Sequence, residues 1–189
     1  MNYELLKNIN GLAGDGSTFL DHMMIFTTNA ALYILAMLLL ALFLFGNTYT
    51  KKTAVYAGFA GVLAIIINIC IAQFYFEPRP FITYDTINVL VAHDADASFP
   101  SDHTAGAMGI TFAILLRHIK WGWLPVVFGL LTGFSRIYVG NHYPGDVLAG
   151  IAIGFIAAAI ITQLRMMMEP ITSLIIRLWY KLPLTGHPQ

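Results

Sequence analysis

Charge is what this chain most lacks. Its 189 residues include ten Lys and Arg and ten Asp and Glu, 11% in all, where an ordinary soluble domain carries about 25%. The formal net charge is zero, which gives no footing for a nucleic-acid partner. The single cysteine, Cys70, excludes an internal disulfide. The opening "MNYELLKNIN" has no basic stretch leading into an apolar one, so no cleavable signal peptide is expected. Internal repeats and low-complexity linkers are also missing. What fills the chain instead is apolar: 58% of residues are hydrophobic and the mean hydropathy is +0.71. These values imply an integral membrane protein, and the length suits one membrane-embedded domain spanning 1–189.

Five apolar segments are predicted as transmembrane helices, at roughly 23–45, 54–76, 103–118, 121–139 and 146–165. The hydrocarbon core requires about 20 helical residues. The first, second and fifth segments meet that length and the fourth is adequate. The third is short and begins with polar residues, as a helix starting in a recess inside the protein would. Residues 2–13 carry Leu5, Leu6, Ile9 and Leu12 at helical spacing, and residues 169–182 carry Ile171, Leu174, Ile175, Leu178 and Trp179. Both read as interfacial amphipathic helices on the membrane surface, with a sixth span as the alternative for one of them. The tail "LPLTGHPQ" is expected to fray. The predicted fold is an all-α, polytopic membrane helix bundle of about five transmembrane helices.

With five spans, Lys51, Lys52, Arg117, Lys120, Arg165, Arg177 and Lys181 share one side, and only Lys7, Arg79 and Arg136 lie on the other. The first side is expected to be cytoplasmic, with the C-terminus inside. Arg79 and Arg136 are then exceptions on the extracytoplasmic face, which invites a functional reading.

Three polar stretches meet on that face: "EPRPF" (77–81), "FPSDHTAG" (99–106) and "SRIYVGNHYPGD" (135–146). Arginine presents a planar fork of donors suited to phosphate oxygens. Histidine can act as nucleophile or as acid near neutral pH, and an aspartate can fix a histidine's tautomer. Ser101 is placed to cap a helix carrying His103 in its first turn, and Pro144 to open a helix carrying Asp146 just after His142. Helix N-termini favour bound anions. Any of these residues could instead be structural: a lone arginine as an interface anchor, a lone Ser or Asp as a cap.

Together the stretches resemble the three-part signature of the type 2 phosphatidic acid phosphatase (PAP2) superfamily. That signature is Lys, six residues, Arg-Pro; then Pro-Ser-Gly-His; then Ser-Arg, five residues, His, three residues, Asp. The third part is complete in Ser135, Arg136, His142 and Asp146. The second reads Pro100-Ser101-Asp102-His103, with aspartate for glycine, and the first keeps Arg79-Pro80 but has Ala72 in place of lysine. All of it lies within a core of roughly 54–165. The Pro-Ser-Asp-His motif, "YFEPRPF" and "LLTGFSRIYVG" are similar to the bacitracin-resistance (BcrC-type) branch of undecaprenyl pyrophosphate phosphatases.

The resemblance implies hydrolysis of undecaprenyl diphosphate to undecaprenyl phosphate and phosphate, at the outer face of a bacterial plasma membrane. It implies catalysis by His142 as nucleophile, Asp146 as its orienting partner and His103 as acid and then base. Arg79, Arg136, Ser101, Ser135 and Asp102 are expected to face the substrate phosphates, with Asp102 paired by Arg79 or Arg136. No metal and no cofactor are implied; the partners are the polyprenyl diphosphate lipid and the bilayer. Gln73 is a poor substitute for the missing lysine, because one residue along a helix turns a side chain by about 100°. Asn141, Tyr138 and Tyr143 read as local packing and turn residues, and His93, Asp94 and Asp96 as a solvated loop, with a place at the border of the head-group entrance as the alternative. The alternatives are another lipid phosphatase, acting on phosphatidic acid or phosphatidylglycerol phosphate, a lipid phosphotransferase, or a small transporter whose arginines and histidines line an anion path.

Overall fold

A computed structural model describes residues 2–181. The tail from residue 182 on, expected to fray, lies outside the described residues, as does residue 182 of the interfacial segment. Eight helices and no strand are present among the described residues: α1 (Asn2–Asn10), α2 (Phe19–Phe45), α3 (Thr48–Ala72), α4 (Pro80–Thr83), α5 (Asp102–Leu116), α6 (Trp123–Tyr138), α7 (Pro144–Gln163) and α8 (Arg165–Tyr180). Helices α2, α3 and α7 are long and apolar enough to cross a membrane, and α6 is a shorter apolar helix. They match the first, second, fifth and fourth predicted segments. The third becomes α5, whose 15 residues rise only about 22 Å at 1.5 Å each.

A helix that short is placed by its neighbours. Thr104–Gly109, Thr111, Ala113 and Ile114 of α5 are buried, packed between α3 and α7. Small residues set the spacing. A Cβ on Gly154 would lie 2.6 Å from Met108 Cβ and 2.7 Å from the Gly109 nitrogen, and one on Gly109 would lie 2.8 Å from the Ala60 carbonyl oxygen. Three backbones therefore meet with no side chain between them, the contact that drives association where lipid removes the hydrophobic force between helices.

The ends of the bundle differ. At one end, Lys51 donates to the Phe43 carbonyl and, at 3.1 Å, to that of Leu44, closing the last turn of α2. Lys52 pairs with Glu169 of α8, and Arg117 stacks on Tyr49 and Tyr56. The other end carries α1, α4 and the three polar stretches.

Helix α1 is partly covered by protein: Leu6 is fully buried in a cluster with Ile87, Ile137, Tyr143 and Val147, and Tyr3 stacks on Tyr84, while Leu5 and, just past the helix, Leu12 stay exposed. Asn10 is buried too, donating to the carbonyls of Asn88 and Tyr138 at 2.8 Å each and accepting from the Asn88 N–H at 2.8 Å. At nine residues α1 rises about 14 Å, too short to span. A period-3.6 apolar stripe fits a bilayer and a protein groove equally well; Leu6 and Asn10 take the protein side, and Leu5 faces outward.

Candidate active site

The three stretches converge through backbone pairing. Pro78 and Ala97 form an isolated antiparallel bridge, and the Ser98 N–H donates to the Glu77 carbonyl at 2.8 Å. The Ser101 N–H donates to the Asp146 carbonyl at 3.2 Å. The turn from α6 to α7 is tight because Gly140 takes φ +85°, a conformation open to glycine at no steric cost. A Cβ there would also sit 2.6 Å from the Asn88 carbonyl oxygen.

His142 lies at the centre, 2% exposed. Its Nδ1 is 2.8 Å from the Ser98 carbonyl oxygen, and its Nε2 is 3.1 Å from Nη1 of Arg79. A carbonyl only accepts and a guanidinium only donates. The ring is therefore held with its proton on Nδ1 and a lone pair on Nε2. Burial, with Arg136 and Arg79 facing the ring, pushes the His142 pKa well below its ordinary value, so the imidazole is neutral.

Asp146 acts on this ring less directly than expected. Its Oδ2 is 3.4 Å from Nδ1, longer than a good hydrogen bond. The same oxygen accepts from the Ser98 hydroxyl at 2.5 Å and the Tyr143 N–H at 2.9 Å. Asp146 thus fixes Ser98 and the start of α7, and the Ser98 carbonyl fixes the ring. Ser98, fully buried, is a site residue that sequence reasoning missed; nothing in "ADASFP" marks it.

Arg79, the N-cap residue of α4, is buried and fully directed. Its Nε donates to Asp96 at 2.6 Å, and its Nη1 donates to the Asn141 carbonyl at 3.0 Å as well as to His142. Burial acts to raise Asp96, but the Arg79 hydrogen bond and charge outweigh it and hold the carboxyl below its ordinary range. Asp96, read from sequence as loop, is thus the ion-pair partner of Arg79. Asp102 has a different partner from either arginine: Asn68 of α3, whose amide donates to it at 3.0 Å. Asn68 lies one helical turn before Ala72, on the same face.

Arg136 projects from the last turn of α6, with Nη1 on the Thr28 hydroxyl at 2.8 Å. Ser101 caps α5, accepting from the Thr104 N–H at 3.4 Å, and its hydroxyl meets that of Thr104 at 2.9 Å. The Ser135 hydroxyl, fully buried, donates within its own helix to the Thr132 carbonyl at 2.7 Å. His103, half-buried, sits in the first turn of α5 beside Asp102.

One feature sets this end of the bundle apart. Among the described residues, the buried polar side-chain atoms without a hydrogen-bond partner are Arg136 Nε and Nη2, both amide atoms of Asn141, Asp146 Oδ1 and Asn68 Oδ1. Buried polar groups are nearly always paired, and here every exception belongs to one neighbourhood. Asn141, read as a turn residue, carries two of them. A buried guanidinium with free N–H groups, beside a neutral histidine, is a site for an anion.

Membrane-length helices with such a cluster at one end define a membrane protein with a buried anion-binding site. The chain belongs to the PAP2 superfamily, whose pattern matches residues 30–168 and so contains all three stretches. It is 47% identical over 179 residues to undecaprenyl-diphosphatase BcrC of Bacillus subtilis (strain 168), covering 95% of this chain and 92% of that one. The bacitracin transport permease protein BcrC of Bacillus licheniformis is 36% identical over 158 residues, with 84% and 77% covered. Among solved structures, that of Aquifex aeolicus LpxE has a TM-score of 0.69 at 31% identity, covering 86% of this chain and 94% of that one.

Proposed function

We propose that this protein is an undecaprenyl-diphosphate phosphatase working through a phosphohistidine. The observation that carries the reading is the buried guanidinium of Arg136, with Nε and Nη2 unpaired, next to a histidine whose Nε2 carries a lone pair turned to Arg79. The similarity to the Bacillus subtilis undecaprenyl-diphosphatase supports the substrate.

In this reading, Nε2 of His142 attacks the terminal phosphorus and the bridging P–O bond breaks. His103 gives its proton to the leaving undecaprenyl phosphate oxygen. It then takes a proton from water, whose oxygen attacks the phosphohistidine, releasing phosphate and restoring His142. Arg136 and Arg79 bind the equatorial oxygens, with Arg79 turning its Nη1 from Nε2 to the incoming phosphoryl group. Fixed donors of this kind supply much of the stabilisation in phosphoryl transfer. Two guanidinium groups bring the positive charge, so the reaction should run in the presence of a chelator. The lysine and arginine distribution supports an extracytoplasmic site, where the enzyme would recycle the lipid carrier and lower bacitracin sensitivity.

The test is phosphate release, with chelator, from undecaprenyl diphosphate, undecaprenyl phosphate and phosphatidic acid in detergent. The diphosphate is expected to be turned over fastest, and His142→Ala to abolish release while the protein still melts cooperatively. Release by purified His142→Ala at the parent rate rejects the nucleophile; preference for phosphatidic acid rejects the substrate.

A further inference from the structure

The end of the bundle away from His142 holds a second polar feature that the proposed reaction does not use. A groove of about 470 Å³ opens between the first turns of α3 and the last turns of α8, lined by Thr48, Lys52, Ser173, Arg177, Tyr180 and Lys181, among others. Its charges are unbalanced. Lys52 is paired with Glu169, which also accepts from Ser173 and Tyr56. The side chains of Arg177 and Lys181 have no ion-pair or hydrogen-bond partner among the described residues. They stand one helical turn apart, so both heads reach the same space. Neighbouring Lys51 is committed to the end of α2 and to the rings of Phe43, Trp179 and Tyr180, leaving the two free cations as the groove's net charge.

The surroundings identify the anion's source. Ile171, Leu174 and Leu178 form an exposed stripe on α8, each about half exposed. Leu174, Leu178 and Lys181 follow one another along one side of the helix. The groove therefore opens beside a surface suited to acyl chains, at the level of Trp179 and Tyr180, where aromatic rings mark a membrane interface. A soluble anion would not need that stripe.

We infer that this groove is a binding site for the phosphate head group of an anionic phospholipid, held by Arg177 and Lys181. The lipid is bound structurally, at the opposite end of α3 from Asn68, and is not a substrate.

The experiment uses the full chain with Trp121→Phe and Trp123→Phe, which leaves Trp179 as its single tryptophan. The protein is reconstituted in phosphatidylcholine vesicles with a small, equal fraction of brominated phosphatidylglycerol or brominated phosphatidylcholine, and Trp179 quenching is compared. Preferential binding of phosphatidylglycerol, read from the quenching, is expected to fall by about thirtyfold in Arg177→Gln/Lys181→Gln and to be unchanged in Lys120→Gln, a cation at the same end but outside the groove. Should the double variant fail to fold, Arg177→Gln alone carries the test, with a smaller loss. Equal quenching by both lipids, a preference that survives the double variant, or an equal loss in Lys120→Gln overturns the inference. A preference abolished by inorganic phosphate would show a soluble-anion site and overturn the lipid assignment.

Discussion

The chemistry proposed for His142 depends on a lone pair, and partners with only one possible role hold that lone pair in place. The Ser98 carbonyl can only accept and Arg79 can only donate. Because burial and two arginines depress the His142 pKa, the ring stays neutral as pH falls through its ordinary value of about 6.5. The acidic limb of a kcat/KM profile assigned to His142 should therefore lie below pH 6.5. Arg79→Gln removes one of the charges opposing protonation and should move that limb upward, alongside its loss of rate. An unmoved limb would show that His142 does not govern it. Asp96→Asn leaves Arg79 charged but loosens it. Asp96 is 60% exposed, which limits the pair to about 1 kcal/mol, or about fivefold in kcat/KM. At this scale the motifs made Arg79, His103, Arg136, His142 and Asp146 legible. Ser98, Asp96, Asn68 and Asn141 were not, because a residue that acts through a loop carbonyl or a distant helix leaves no local pattern.

Elements add a second layer of positioning. Helix α1 clamps the turns around the site: Asn10 ties Asn88 to the Tyr138 carbonyl, and Asn2 accepts from the Gly145 N–H at 2.9 Å at the start of α7. Asp21 supports the same corner, accepting from the Tyr138 hydroxyl at 2.8 Å and the Gly14 N–H at 3.1 Å. Asn10→Ala leaves a buried carbonyl and a backbone N–H unpaired and should cost about 1–3 kcal/mol, read as a lowered melting temperature. Since Tyr138 follows Arg136 by two residues, kcat should fall with it. Asn10→Asp, which keeps the acceptor for the Asn88 N–H and loses the donors, should be intermediate or worse. Helical periodicity marked α1 as amphipathic, but periodicity is silent about what covers the apolar face. The N-cap of α5 at Ser101 and the Pro144 start of α7 were legible, since caps are chemistry within one turn.

For the whole molecule, a helix too short to span by itself carries His103 into the protein. It can do so because α3 and α7 approach its backbone across Gly109 and Gly154. Gly154→Leu would force α7 away from α5, separating Asp146 and His142 from His103. Overpacking of this kind is expected to cost at least about 3 kcal/mol and to abolish phosphate release. Gly58→Ala, where the nearest atom to a Cβ is Leu39 Cδ1 at 3.9 Å, should be tolerated in the same assay. The sequence alone determined that the chain lives in a membrane, roughly where its helices run, and which histidines and arginines carry the family's signature. Apolar length, capping and motif spacing are properties of neighbouring residues, and they survive in one dimension. Only the tertiary structure decided that Asn68 holds Asp102, that Asp96 holds Arg79, that Ser98 stands between Asp146 and His142, and that α1 docks on protein. Those choices depend on which donors and acceptors meet once the helices and the connection from α3 to α5 are packed, and no period or spacing encodes that encounter.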